Sequence, residues 1–522
     1  TDDNVTYNSA TTLTGNVLVD TGAGAGTIQF ASTLDGTVAD TETLGLTAGT
    51  GNVSFSNTVG AGTALGDIQI VSDGGLTVSA LLTAKSFTET AGTGVTNLNS
   101  ITTTGAANSG GGAVNVISTG AITAGTITTN GGVSTGVGRA AGAVTLNSGS
   151  VLTAGAINAV GSAAGGASGL AGGVGGAVSL TGTARVDLGG NIVTTGGLGD
   201  PAPGTTNQGI DGDVAVQSGG NVTILGSVTG NVTSRAGGAT VFGATTFGGY
   251  LDVTAGGDIT QQTGPLSVTG NLWAKTTGGN IVLDTFNNHL VGAVSLIAPL
   301  SNGVTGAGNS VALKADHIRV GLDRPTGGSE SGITAARVTI ETALSSSIDY
   351  NIPVTRATGL ITADEPFDIG TSPALTIIAD GVVGNPATAN PASEGLWVMT
   401  NGLVKVVTDA LSGGTVMLFG DEAFQPKYEF SGDPLHRSVK YNGVEATNAQ
   451  LTGALDAAYL DIRNQTTEIR ESGFAKENAS KVLRRGVVTS AGPGQPAVDD
   501  STGLASMELC DGTFGNSTLA CQ

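Results

Sequence analysis

Positive charge is scarce in this chain. Its 522 residues carry 20 Lys and Arg against 41 Asp and Glu, a formal net charge of −21 at pH 7. Phosphate binding needs Lys and Arg lining a surface, so the balance argues against nucleic acid as a partner. Aromatic residues make up 4% and charged residues 12%, so the aromatic anchors and long polar helices typical of globular enzymes are missing. No run approaches the roughly 18 apolar residues of a membrane helix. Thr1 does not open a signal peptide, and the chain is expected to be a mature or processed product. Cysteine is almost absent. The two there are, Cys510 and Cys521, fall in the last 13 positions, where they either close a short disulfide loop in an oxidising compartment or remain two unpaired thiols.

What is abundant is glycine, 87 residues, far above the usual share of about 7%. Alone this would suggest disorder, but 39% of the residues are hydrophobic and they recur with period two, as in half-buried strands. One phrase organises the chain. Gly112-Ala113-Val114, Gly142-Ala143-Val144, Gly176-Ala177-Val178 and Gly212-Asp213-Val214 each open two short β-type runs and a Gly-rich loop, with starts at 112, 142, 176 and 212, that is 30, 34 and 36 residues apart. The strand parts keep their length, while the loops at about 130–141, 161–175 and 196–211 absorb the difference. A solenoid behaves this way, because each coil must stack on the next while a turn on one side is free to lengthen. The repeat alignment therefore predicts that these loops protrude on the same side.

The expected fold is all-β: a right-handed parallel β-helix with a small C-terminal helical cap. Residues 1–285 are expected to form the regular solenoid, with turn phrases such as Gly51-Asn52 and Gly66-Asp67 before its strands. The polar segment Thr1 to Thr14 has no clear core face and is expected to cap the coil or to pair with something outside the chain. Residues 286–440 hold most of the prolines and are expected to form an irregular end of the solenoid. In 441–490, Leu451, Leu455, Tyr459 and Ile462 fall on one face of a helix, which would pack over the last coil. A second short helix is expected from about Lys476 to Arg485, ending at Gly486. Residues 491–522 form a tail that carries the two cysteines.

The chain offers little chemistry. Gly132-Val133-Ser134-Thr135-Gly136 matches a nucleophile-elbow pattern but lies in a Gly/Ser-rich loop with no helix after it, and reads as a chance match. His289, His317 and His436 stand in no metal-ligand spacing, and Asp364, Glu365 and Asp368 read as a solvated turn rather than a calcium site. Asn-x-Ser/Thr triplets at Asn4, Asn52, Asn221, Asn231, Asn464, Asn478 and Asn516 are potential glycosylation sites in a Thr-rich chain where such triplets arise by chance. No catalytic residue, metal or cofactor is expected.

The phrases Leu251-Asp252-Val253-Thr254-Ala255-Gly256-Gly257-Asp258-Ile259-Thr260-Gln261 and Thr27-Ile28-Gln29-Phe30, the latter continuing through Leu34-Asp35-Gly36 to Leu46-Thr47-Ala48-Gly49, resemble the filamentous-haemagglutinin class of large bacterial surface proteins. Ile469-Arg470-Glu471-Ser472-Gly473-Phe474 to Arg484-Arg485-Gly486, with the cysteine pair, resembles their C-terminal ends. The resemblance implies a right-handed parallel β-helix exported by two-partner secretion through an outer-membrane pore. It also implies that a terminal disulfide loop, here Cys510 with Cys521, holds the fibre to that pore. The N-terminal secretion domain of that class is missing here, which fits a C-terminal portion or a processed precursor. Together these features suggest a non-enzymatic cell-surface fibre or stalk whose partners are further copies of itself, head to tail, and a host surface, a neighbouring cell or a polysaccharide. The competing expectation is a polysaccharide-binding or polysaccharide-processing β-helix protein, which would need acids and cations clustered on one strand face.

Overall fold

A computed structural model describes residues 3–166, 169–200, 207–299, 309–316, 318–320, 324–327 and 332–335, and beyond these a series of strands from 337–342 to 507–511. The chain divides into two compact units, 1–253 and 254–522. Among the described residues both are built mainly from short strands, most of them paired in parallel. The architecture is a parallel β-helix, as the alternation of apolar and small polar residues predicts. Among the described residues no helix is long and apolar enough to cross a membrane.

In the first unit each coil contributes strands to two main ladders. One runs through Ile28–Phe30, Asn52–Phe55, Thr96–Thr102, Ile122–Thr128, Val151–Ala154, Arg185–Leu188 and Asn221–Ile224. The other runs through Val17–Asp20, Leu44–Thr47, Val114–Ser118, Val144–Ser148, Val178–Gly182 and Val214–Ser218. The long strand Gly75–Gly92 bends through a whole coil and serves both. Parallel in-register pairing places like on like, so the apolar residue of one coil stacks on that of the next. One such column is unbroken over nine coils: Leu34, Val59, Leu82, Ile101, Ile127, Ile157, Ile192, Val228 and Phe247. Every member is at most 1% exposed, so the column is the spine of the core.

The first coil differs from expectation. Val5–Tyr7 pairs with Ile28–Phe30 and Thr11–Leu13 with Leu34–Gly36, so the strands within 3–14 belong to the coil. Small polar neighbours hide its core face in the sequence: Tyr7 stacks on Phe30 at 4.7 Å, and Phe30 on Phe55 at 5.3 Å, while Leu13 is buried. Among the described residues no strand pairs with the other edge of Val5–Tyr7.

In the second unit the parallel pairing continues among the described strands of the proline-bearing stretch. By backbone register Ile281 falls in line with Val311, Val338, Leu375 and Val404, and Leu283 with Leu313, Ile340, Ile377 and Val406. The parallel series reaches Thr415–Gly420, which pairs with Glu468–Glu471. From there the pairing turns antiparallel: Glu468–Glu471 with Lys481–Arg485, and Lys481–Arg485 with Met507–Asp511. The helix expected from Lys476 to Arg485 is therefore a strand over its second half, because cross-strand pairing, with Val482 opposite Cys510, overrides a local helical preference. Leu451, Leu455, Tyr459 and Ile462 lie outside the described residues.

Candidate functional site

The loops expected to protrude together lie directly on one another. They bulge where the coil column passes from Thr103, Thr129, Ala159 and Thr194 to Gly112, Gly142, Gly176 and Gly212, and in each coil the Gly amide closes the base on the residue before the loop. Three of these bases gain a second bond, the hydroxyls of Thr103, Thr129 and Thr194 donating to the carbonyls of Gly112, Gly142 and Gly212 at 2.6, 2.7 and 2.7 Å. The loops themselves are neither helix nor strand, yet they are regularly bonded layer to layer: Gly131 to Val160, Gly138 to Ala171, Gly161 to Thr195, Ala164 to Leu198, Gly172 to Asn207 and Gly175 to Ile210. The two legs of each loop also bond to one another, as Gly173 does to Ser162 and Gly209 to Gly197. This close approach of backbones explains the glycine content. A Cβ on Gly173 would run into the Arg139 carbonyl, and one on Gly197 into that of Ser162.

The result is a tongue of stacked loops that carries exposed side chains at its rim. It begins one coil earlier than the repeats suggest, with the short loop 104–111, whose Gly105 and Asn108 amides bond to the Asn130 and Val133 carbonyls of the next layer. Aliphatic side chains crown it: Val133 is 79% exposed, Leu198 69% and Ile210 76%. Ser134, the centre of the nucleophile-like pattern, donates to the Val137 carbonyl at 2.6 Å and so closes a turn within this tongue.

A second feature has no counterpart among the sequence expectations. Glu89 occupies a position that is apolar in the coils above and below, in the column Val19, Leu46, Ile70, Glu89, Val116, Leu146, Leu180 and Val216. Beside it, Asp73 fills a corner column that holds Gly92, Ser118, Ser148 and Gly182 in later coils. Both acids are fully buried. Thr96 donates to the two Glu89 oxygens at 2.8 and 3.1 Å. Burial, and then the neighbouring Asp73 charge, pushes the Glu89 carboxyl up to about 8, and burial raises Asp73 to about 6. The contrast with Asp252 is instructive: that carboxylate is equally buried but is met by Arg235 at 2.7 Å. No comparable cation among the described residues meets the Asp73 and Glu89 pair. Two acids 16 positions apart are unremarkable in sequence until the register brings a corner and a strand together; the one signal is an acid at an inward-facing position of a strand.

A third acid, Glu42, sits at an outer corner. The Thr37 hydroxyl, followed by the Val38 amide, holds its carboxyl below the usual range despite burial. His289 pairs with Asp316 at 2.6 Å on the surface. His317, His436, Asp364 and Glu365 lie outside the described residues, and among those described no group of three or more His, Cys, Asp or Glu could hold a metal. Cys510 lies in the strand Met507–Asp511, whereas Cys521 is outside the described residues.

The Asn-x-Ser/Thr triplets acquire a structural role. Asn4, Asn221 and Asn231 each accept, through Oδ1, a hydrogen bond from the next coil's backbone: Thr27, Ala239 and Tyr250 at 2.9, 2.9 and 3.1 Å. Asn16, Asn130, Asn191, Asn271 and Asn280 do the same. The Gly-Gly-Asn phrase is thus a corner in which Asn ties one coil to its neighbour.

Residues 229–297 match a family described as repeats of unknown function (DUF5649). No curated protein and no solved structure matches the chain. A repeat family over these residues agrees with coils that stack in register.

Proposed function

We propose that the chain is a non-enzymatic structural solenoid of a bacterial cell surface, a fibre or stalk that works by length, stiffness and a repeated lateral surface. The observation that carries this reading is the tongue: the described parts of three long glycine loops bond their backbones to one another, layer on layer, which builds a lateral surface. The apolar residues at its rim offer contacts to a neighbouring cell or a polysaccharide. On this reading the partners are further copies of the chain, an outer-membrane secretion pore and an external surface.

A polysaccharide-processing β-helix would need titratable groups in an open groove. The acid pair with raised affinity for protons, Asp73 and Glu89, is instead sealed inside the coil, which counts against that alternative. Immunogold labelling of intact source cells tests the proposal. Label on the outside of unpermeabilised cells supports it; label found only after permeabilisation overturns it.

A further inference from the structure

We propose that Asp73 and Glu89 form a proton-operated latch, which keeps the coils spanning 65–118 closed while the pair shares a proton and loosens them when that proton is lost. The geometry carries this. The Asp73 oxygens are buried and accept no hydrogen bond from any fixed donor, so the one donor that suits them is a carboxylic O–H on Glu89. Gly92, the register partner of Asp73, leaves the space this needs, since a Cβ there would strike the Glu89 carboxyl.

Among the described residues no charge compensates the pair from any side. On the strands above and below, Ile70 and Val116 flank Glu89 and Gly92 flanks Asp73, with Ser118 beyond it. Ser118 spends its hydroxyl on the Gly94 carbonyl, and across the core Thr96 supplies a neutral donor. The nearest charged residues in sequence are Asp67, which is exposed and bonded to Ser86, and Lys85, which is exposed. Two bare carboxylates in so apolar a place repel each other and cannot be hydrated without opening the coil.

The sign follows from linkage. Glu89 is protonated in the fold at a pH where the unfolded chain has it ionised, so the folded state binds more protons. Stability contributed by these coils therefore falls as pH rises from the ordinary carboxyl range through about 8.

Hydrogen exchange followed by mass spectrometry on the intact chain gives the test, with intrinsic rates corrected and peptides from 144–193 as an internal reference. Between about pH 6 and about pH 9, protection of peptides from 65–118 is expected to drop at least ~10-fold more than that of the reference. Glu89→Gln, which mimics the protonated acid, should abolish the difference. An infrared band of a protonated carboxyl, present in the wild type near neutral pH and missing from Glu89→Gln, should accompany it. Equal pH dependence of both regions, or a wild type without that band, overturns the latch. Should Glu89→Gln fail to fold, Asp73→Asn and the wild-type spectrum decide on the same terms.

Discussion

Ile157 sits in register beneath Ile192, and neither is exposed at all. The pair lies toward the middle of the column that runs from Leu34 to Phe247, so each side chain is packed by the coil above and the coil below. Truncating Ile157 to Ala leaves a cavity that two stacked neighbours cannot both fill, and should cost about 2–5 kcal/mol. Local hydrogen exchange around residues 127 and 192 measures this; protection unchanged at both would refute the column as the spine.

The tongue is expected to be separable from the coil. Gly173→Val drives a branched side chain against the Arg139 backbone, which should unstack the loops while leaving the strands Val144–Ser148 and Val178–Gly182 paired. Limited proteolysis should then cut within 161–175 and 196–211 in the variant and spare the wild type. Equal cleavage of both would show that the layers are not held by backbone approach.

The corner asparagines supply a third expectation. Asn221→Ala removes the acceptor for the Ala239 amide and should destabilise by about 0.5–2 kcal/mol, the range for a lost capping or backbone-directed hydrogen bond. Asp, which keeps the acceptor, should recover most of the loss. If Asn221→Asp were as damaging as Asn221→Ala, the role of Oδ1 would be refuted.

In the second unit, the guanidinium of Arg324 lies 4.1 Å from the centroid of the Trp273 ring, and Trp273 is buried. Arg324→Gln should cost about 0.5–2 kcal/mol, read as faster exchange of the Gly332 amide, which bonds to Ser295 beside Trp273 in the next coil. Lys at 324 should restore only part, since it keeps the charge but loses the planar stacking. Unchanged exchange in Arg324→Gln would contradict the contact.

Much of this fold is written in local pattern. Period-two alternation and the constant strand lengths around 114, 144, 178 and 214 disclose a solenoid, and the elastic loops disclose which side would carry insertions. Other features need the register. Tyr7 and Leu13 are isolated among polar residues in sequence, and only the stacking of Tyr7 on Phe30 reveals a core face. Asp73 and Glu89 come together only when a corner meets a strand of the next coil. The strand at Lys481–Arg485 reads locally as a helix because its partner, Met507–Asp511, lies beyond a Pro- and Gly-bearing stretch, and pairing at that separation leaves no local trace.

The central claim is that the chain is a structural solenoid whose copies join head to tail. Electron microscopy of the purified protein tests it most directly. The account predicts filaments longer than a single chain can span. Separate particles, none longer than one chain, would contradict it.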